Sequence, residues 1–125
     1  MKLSVIIPIY NEETTCRKLI EKVESVPIQK QIVVVDDGST DDSSKILKEF
    51  EGIELITHKV NLGKGSAVQS AIPYIKGDFV VLQDGDLEYN PADYEKMLIE
   101  LENDNADVVL GSRWLEKTSS LAYHT

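Results

Sequence analysis

The sequence predicts an α/β fold, a mostly parallel sheet covered by helices on both faces. Five apolar runs rich in Val and Ile, "LSVIIPI", "QIVVVDD", "IELITH", "DFVVLQD" and "DVVLGS", mostly lack polar alternation, as strands buried on both sides do. Segments with helical spacing lie between them, so strand and helix alternate four times, the pattern of a parallel sheet. Glycine-, acid- and hydroxyl-rich loops follow the strands, where open α/β sheets bind ligands.

The first strand, "LSVIIPI", leads through "PIYNEE" into "EETTCRKLIEKVESV", where Cys16, Leu19, Ile20 and Val23 share one helical face. The second strand ends in "VVVDDGST". Gly38 permits the bend there, and Ser39, Thr40 or Asp41 can cap a short helix offering Ile46, Leu47 and Phe50. After the third strand, "GSAVQSAIPYI" places Ala67, Val68, Ala71, Ile72 and Ile75 in phase, and Pro73 ends or kinks that helix. The fourth strand runs through "DGDLE" into "NPADYEKMLIELEN". Asn90 suits an N-cap, Pro91 the first helical position and Asp93 the positive helix start. Tyr94, Met97, Leu98 and Leu101 form its apolar stripe. The fifth strand ends at "GSRW". The tail carries no element, and residues 114–125 are expected to be disordered.

A chain of 125 residues with 42% hydrophobic and 28% charged residues is one soluble globular domain, 1–125. Its net charge of -9 argues against a nucleic-acid polymer as partner, though not against a small phosphate ligand neutralised locally. Cys16 is the only cysteine, which excludes an intrachain disulfide and a cysteine metal site and fits a reducing compartment. The apolar start is too short for a signal-peptide core, and nothing approaches the roughly 18 apolar residues of a membrane span. The chain is therefore expected in the cytoplasm.

Each loop has a functional reading beside a plain one. Asp84 and Asp86 stand at the end of the fourth strand, roughly 6.6 Å apart at ~3.3 Å per residue, close enough to share one cation. Oxygen-only ligands favour Mg²⁺ or Mn²⁺, and Glu88 can be a third ligand or bind a metal-held water. The alternative is a solvated acidic turn capping the next helix. Beyond the helix cap, one of Asp36 and Asp37 can accept a hydrogen bond from a nucleobase N–H or a ribose hydroxyl. Tyr10 can stack on a base, while Asn11 and Glu12 either bond its edge or cap the helix. "PIYNEE" lacks the glycines of a dinucleotide fingerprint, and "NLGKGSA" fails as Walker A because Gly65 follows Lys64. Lys64, at a glycine-flexed helix start, is compatible with holding a phosphate or with a tight turn alone; Arg113 after the fifth strand is the other well-placed cation, which a plain surface position also explains. No serine–histidine–acid set is evident, and His58 and His124 receive no role.

Taken in order, "VIIPIYNEE", "VVVDDGSTDDS", "NLGKGSAVQSA", "LQDGDLEYNPADYEKML" and "ADVVLGSR" resemble the family 2 glycosyltransferases of the GT-A fold. The resemblance is strongest to the branch of dolichyl-phosphate mannosyltransferase and bacterial polyprenyl-phosphate glycosyltransferases, and it runs from Leu3 to Arg113. It implies a Rossmann-like nucleotide-diphospho-sugar-binding sandwich. Pro8, Tyr10, Glu12, Val35 and Asp37 would then line the base pocket. Asp84, Asp86 and Glu88 would hold the divalent metal on the donor diphosphate, with Gly85 permitting close approach. Arg113 would meet the phosphate of a lipid acceptor, and Lys64 would add a phosphate contact. Gly85 stands where Ala is more common in this branch, and Trp114 where Phe is.

The implied reaction moves a hexose from a UDP- or GDP-linked donor to a polyprenyl or dolichyl phosphate at the cytoplasmic face of a membrane. Asp86 and Arg113 would be the catalytic residues. Members of the branch continue well past Arg113, so the chain is expected to be a truncated donor-binding half that turns over poorly and self-associates. A saccharide-hydroxyl acceptor and a non-catalytic nucleotide-sugar-binding module are the alternatives. A phosphorylated receiver domain is a further rival, although its acidic pair belongs after strand one, where this chain has Tyr10, Asn11 and Glu12.

Overall fold

A computed structural model describes residues 3–83, 94–96, 98–99, 108–111 and 122–123. Strands β1 (Leu3–Ile9), β2 (Lys30–Asp36), β3 (Glu54–Thr57), β4 (Phe79–Gln83), β5 (Val108–Gly111) and β6 (Ala122–Tyr123) form one sheet in the order β3-β2-β1-β4-β5-β6. β1 to β5 are parallel, and β6 runs antiparallel to β5. The five expected strands are present, each within one residue of its apolar run. β6 lies in the tail, where no element was expected. A two-residue strand is held by backbone pairing and needs no apolar pattern, so it leaves no trace in the sequence.

The order β3-β2-β1-β4-β5 is that of a Rossmann-like sheet, whose strand order reverses between β1 and β4. A receiver domain requires the order 2-1-3-4-5, so the strand order overturns that rival.

Helices α1 (Cys16–Ser25), α2 (Ser43–Leu47) and α3 (Lys64–Ala71) cover the two faces. Because side chains alternate along a strand, Leu3, Val5, Ile7 and Ile9 of β1 face one way. They pack there against Leu47 of α2, Val81 and the four α1 residues expected to be buried, Cys16, Leu19, Ile20 and Val23. Ile6 of β1 faces the other way with Val33 and Val35, against Ala67 and Ala71 of α3. Burying a Leu, Ile or Val side chain contributes about 1.5–3 kcal/mol. The α1 face, lined by the larger set of aliphatic residues, therefore carries most of the hydrophobic stabilisation.

Three helices depart from the expected pattern. α1 begins only at Cys16, because Thr15 N–H and Cys16 N–H both donate to the Glu12 carbonyl and form a turn first. α2 is five residues long, with Ile46 and Phe50 only partly buried. α3 passes into a 3₁₀ turn at Ile72–Tyr74, where Pro73 removes a donor. Ile72 is 53% exposed rather than buried. At ~100° per residue it lies roughly 120° around from the Ala67–Ala71 stripe, beyond the face that meets the sheet.

Residues 94–96 and 98–99 are helical, as the sequence predicts. Tyr94 is fully buried and donates its hydroxyl to Gln83 Oε1 at 2.6 Å, and Leu98 packs on the α1 core. Asn90, Pro91, Asp93, Met97 and Leu101 lie outside the described residues. Among the described residues no helix is long and apolar enough to cross a membrane.

Candidate functional site

The loops after β1, β2 and β3 meet at the carboxyl edge of the sheet, laced by polar contacts rather than packed by apolar ones. Asn11 sits in the left-handed region at φ 50, which a short amide side chain tolerates better than most residues. That twist aims its Oδ1 at the β2 loop, where it accepts Thr40 N–H (2.8 Å) and Asp41 N–H (3.2 Å). In return Asn11 N–H donates to Ser39 Oγ (3.0 Å) and Glu12 N–H to Ser43 Oγ (2.8 Å). Asp41 accepts Glu13 N–H (3.2 Å) and Ser43 N–H (2.8 Å). Burial raises the Asp41 pKa, but hydrogen bonds from Ser43 and Glu13 outweigh it and keep the carboxyl below its ordinary value. Asn11 thus ties two loops together instead of capping α1. Thr15 is the N-cap there, without a side-chain cap bond, and Glu12 Oε2 accepts its hydroxyl at 3.1 Å.

The two aspartates after β2 differ in what holds them. Asp36 is buried and its Oδ1 accepts Ser39 N–H at 3.0 Å, while its second oxygen has no hydrogen-bond partner among the described residues. Asp37 is buried with all four acceptor positions of its carboxylate in use. Oδ1 meets His58 Nδ1 (2.8 Å) and accepts Leu62 N–H (2.9 Å). Oδ2 accepts Asn61 Nδ2–H (3.1 Å) and Gly63 N–H (2.9 Å). Burial pushes the Asp37 pKa up. Hydrogen bonds from Leu62, His58 and Gly63 overcome that and hold the carboxyl below its ordinary value.

His58 continues to α3, with Nε2 2.8 Å from Ser70 Oγ. The Asp37–His58–Ser70 chain corrects the expectation that no serine–histidine–acid set exists, and it gives His58 two partners. Part of it was within reach of the sequence. β2 and β3 are parallel neighbours that pair Asp36 with Thr57, which sets the next residues, Asp37 and His58, side by side. Ser70 depends on the azimuth of α3, which no spacing rule supplies.

The predicted base-pocket residues fall into two groups. Tyr10 is 44% exposed and Glu12 half-buried on the β1 loop; Pro8 is half-buried and pairs in register with Val35. The Val35 side chain is fully buried in the α3 core, so only its main chain can reach a ligand. The Asp37 carboxylate points into the brace just described. Lys64 is exposed and begins α3, after Gly63 at φ 99. Asp84, Gly85, Asp86, Glu88 and Arg113 lie outside the described residues, although Asp84 directly follows Gln83, the last residue of β4. Among the described residues no three acidic, histidine or cysteine side chains are grouped to hold a metal.

Comparison with known proteins agrees with this architecture. Residues 4–125 match the model of glycosyl transferase family 2. Dodecaprenyl-phosphate galacturonate synthase of Rhizobium johnstonii is 33% identical over 122 residues, covering 90% of this chain and 36% of that protein. Undecaprenyl-phosphate 4-deoxy-4-formamido-L-arabinose transferase of Proteus mirabilis is 34% identical over 135 residues, covering 95% and 41%. The chain thus spans less than half the length of these relatives.

Among solved structures, S. aureus TarS 1-349 in complex with UDP superposes with a TM-score of 0.74 at 26% identity, over 86% of this chain and 34% of that one. Glucosyl-3-phosphoglycerate synthase of Mycobacterium tuberculosis, in complex with Mn²⁺, UDP-glucose and phosphoglyceric acid, superposes at 0.66 with 27% identity, over 80% and 39%. The sheet and its helices are those of the GT-A glycosyltransferases.

Proposed function

The chain belongs to glycosyl transferase family 2, and from that premise we propose that it transfers a hexose from a UDP- or GDP-linked donor to a polyprenyl phosphate, with inversion at the anomeric carbon. The observation that carries this reading is the strand order. β2, β1 and β4 are neighbours, so the ends bearing Asp36 and Tyr10, and the β4 end that Asp84 follows in sequence, lie side by side. Relatives named for transfer to dodecaprenyl and undecaprenyl phosphate support the acceptor class.

In this reading Tyr10 stacks on the base. Asp36, with one oxygen unengaged, accepts the base N–H, and Asp37 shapes the pocket rather than meeting the base. Pro8, Glu12 and the Val35 main chain complete the wall. Asp84, Asp86 and Glu88 are an all-oxygen donor set that suits Mg²⁺ or Mn²⁺. Such an ion, when bound, offsets charge on the departing diphosphate. Gly85 lets the main chain approach the donor, and Lys64 adds a positive charge near the phosphates.

Arg113 orients the acceptor phosphate and offsets its repulsion from the donor. The acceptor oxygen is already anionic at neutral pH, so its attack on the anomeric carbon needs no strong general base. The new bond forms as the bond to the nucleoside diphosphate breaks.

A soluble acceptor is the second reading, favoured by the likeness to a structure that holds phosphoglyceric acid. The test supplies the chain with Mn²⁺, radiolabelled UDP-glucose, UDP-N-acetylglucosamine or GDP-mannose, and either undecaprenyl phosphate or 3-phosphoglycerate. Label entering the lipid phase from one donor supports the proposal. Label entering phosphoglycerate assigns the second reading. Donor binding without transfer to either acceptor makes the chain a nucleotide-sugar-binding module.

A further inference from the structure

We infer that His58 is a positioning residue for the nucleotide-sugar pocket, because its ring joins Asp37 at the end of β2 to Ser70 on α3 and so fixes the loop between β3 and α3. The inference rests on the donor-site reading above.

The ring is almost enclosed, with 9% of the His58 side chain and 4% of the Asp37 side chain exposed. Its two nitrogens reach in opposite directions, each to a partner at 2.8 Å. Asp37 passes the restraint on, since the same carboxylate accepts the N–H groups of Leu62 and Gly63, the last two residues before α3. The His58 N–H also donates to the carbonyl of Asp36 at 2.9 Å, next to the carboxylate with an unengaged oxygen.

Apolar packing does not hold this loop. Val60 is 61% exposed and Leu62 56%, and a Cβ built on Gly63 would meet nothing within 4 Å. The loop is nevertheless pressed onto its neighbour, since a Cβ on Gly38 would lie 2.3 Å from the Val60 carbonyl carbon. Polar restraint through Asp37 is what remains to place it. Ser70 lies within α3 with its hydroxyl engaged by His58, so the three residues form a brace rather than a nucleophile with its base.

The experiment compares wild type with His58→Phe, which keeps a ring but no nitrogen, and His58→Asn, which keeps one donor towards Asp37. Ser70→Ala removes the far end of the brace. Amide hydrogen exchange and Mn²⁺-dependent affinity for UDP and for GDP are measured well below every unfolding midpoint. His58→Phe is expected to speed exchange at Leu62 and Gly63 relative to β1 and to weaken nucleotide binding about tenfold, the scale of one buried hydrogen bond. His58→Asn recovers most of that loss, and Ser70→Ala costs about threefold.

Unchanged affinity in a folded His58→Phe protein overturns the inference while leaving the functional reading intact. If that variant does not fold, Ser70→Ala decides in the same way. A folded wild type that binds neither UDP nor GDP overturns the functional reading, and the inference with it.

Discussion

Both ends of the sheet are tied by buried polar groups, but the ties differ in chemistry. At the amino end the hub is neutral Gln31 of β2. Its Oε1 accepts Ser4 Oγ–H (2.6 Å) and Lys76 N–H (2.8 Å), and its Nε2 donates to Glu54 Oε1 (2.8 Å) and the Tyr74 carbonyl (2.6 Å). Gly77 N–H completes the set on Ser4 Oγ at 2.8 Å. At the carboxyl end the hub is the anion Asp37, beside a second buried carboxylate with an oxygen unengaged and an exposed tyrosine. Both hubs are saturated. Among the described residues the carboxyl-end hub stands beside a buried aspartate with an oxygen unengaged and exposed Tyr10, while the amino-end hub is flanked by exposed Tyr74 and part-exposed Glu54. In the proposed reading the amino-end tie sets register and stability, while the carboxyl-end tie also places groups for a ligand.

Replacing each hub in turn tests the comparison. Asp37→Ala is expected to cost the most, about 3–5 kcal/mol in urea denaturation, because it strips the almost enclosed His58 ring and the amides of Leu62 and Gly63 of their acceptor. Gln31→Leu should cost about 2–3 kcal/mol by leaving the Ser4 hydroxyl hydrogen and the Lys76 amide without their acceptor, with nucleotide affinity unchanged. Weakened nucleotide binding in Gln31→Leu would erase the distinction between the two ends.

Acid separates them next. The Asp37 pKa is lower in the folded chain than in the unfolded one. Its contribution to stability is therefore present above the ordinary carboxylate pKa of about 3.9 and is lost as pH falls through the depressed folded value. Denaturation midpoints measured across that range should drop less steeply in Asp37→Asn than in wild type. Gln31 does not titrate, so Gln31→Leu should keep the wild-type slope.

Smaller changes sharpen the carboxyl end alone. Gly63→Ala should cost about 1–3 kcal/mol from a positive-φ extended backbone that essentially only glycine adopts, although there is room for the methyl group. Tyr10→Ala should change stability by less than about 0.5 kcal/mol, yet weaken nucleotide binding roughly tenfold if the ring stacks on a base. Calorimetry and thermal unfolding on the same samples would separate the two effects.

The same contrast explains how much was legible in the sequence. Strands β1 to β5 and the buried face of α1 follow from apolar periodicity, because each depends on residues a few positions apart. The carboxyl-edge rule says where to look for a site, and Asp84 and Asp86, its proposed acidic pair, are read from the sequence and lie outside the described residues. The Gln31 hub was not legible, since Ser4, Gln31, Glu54 and Lys76 come from four segments that only the strand order brings together. The Asn11 lacing depends on a left-handed backbone at one residue. Asp37 was legible as important but not in its role, because a carboxylate at a strand end looks the same in sequence whether it meets a ligand or its own loop. Saturation of its acceptors is a property of the folded chain.

Isothermal titration of UDP and GDP, with and without Mn²⁺, into wild type and Asp84→Ala tests the central claim most directly, that the carboxyl edge is a metal-dependent nucleotide-sugar site. One nucleotide should bind wild type only when Mn²⁺ is present, and that binding should vanish in folded Asp84→Ala. Binding of neither nucleotide to the folded chain, or binding that survives both removal of Mn²⁺ and loss of Asp84, would contradict it.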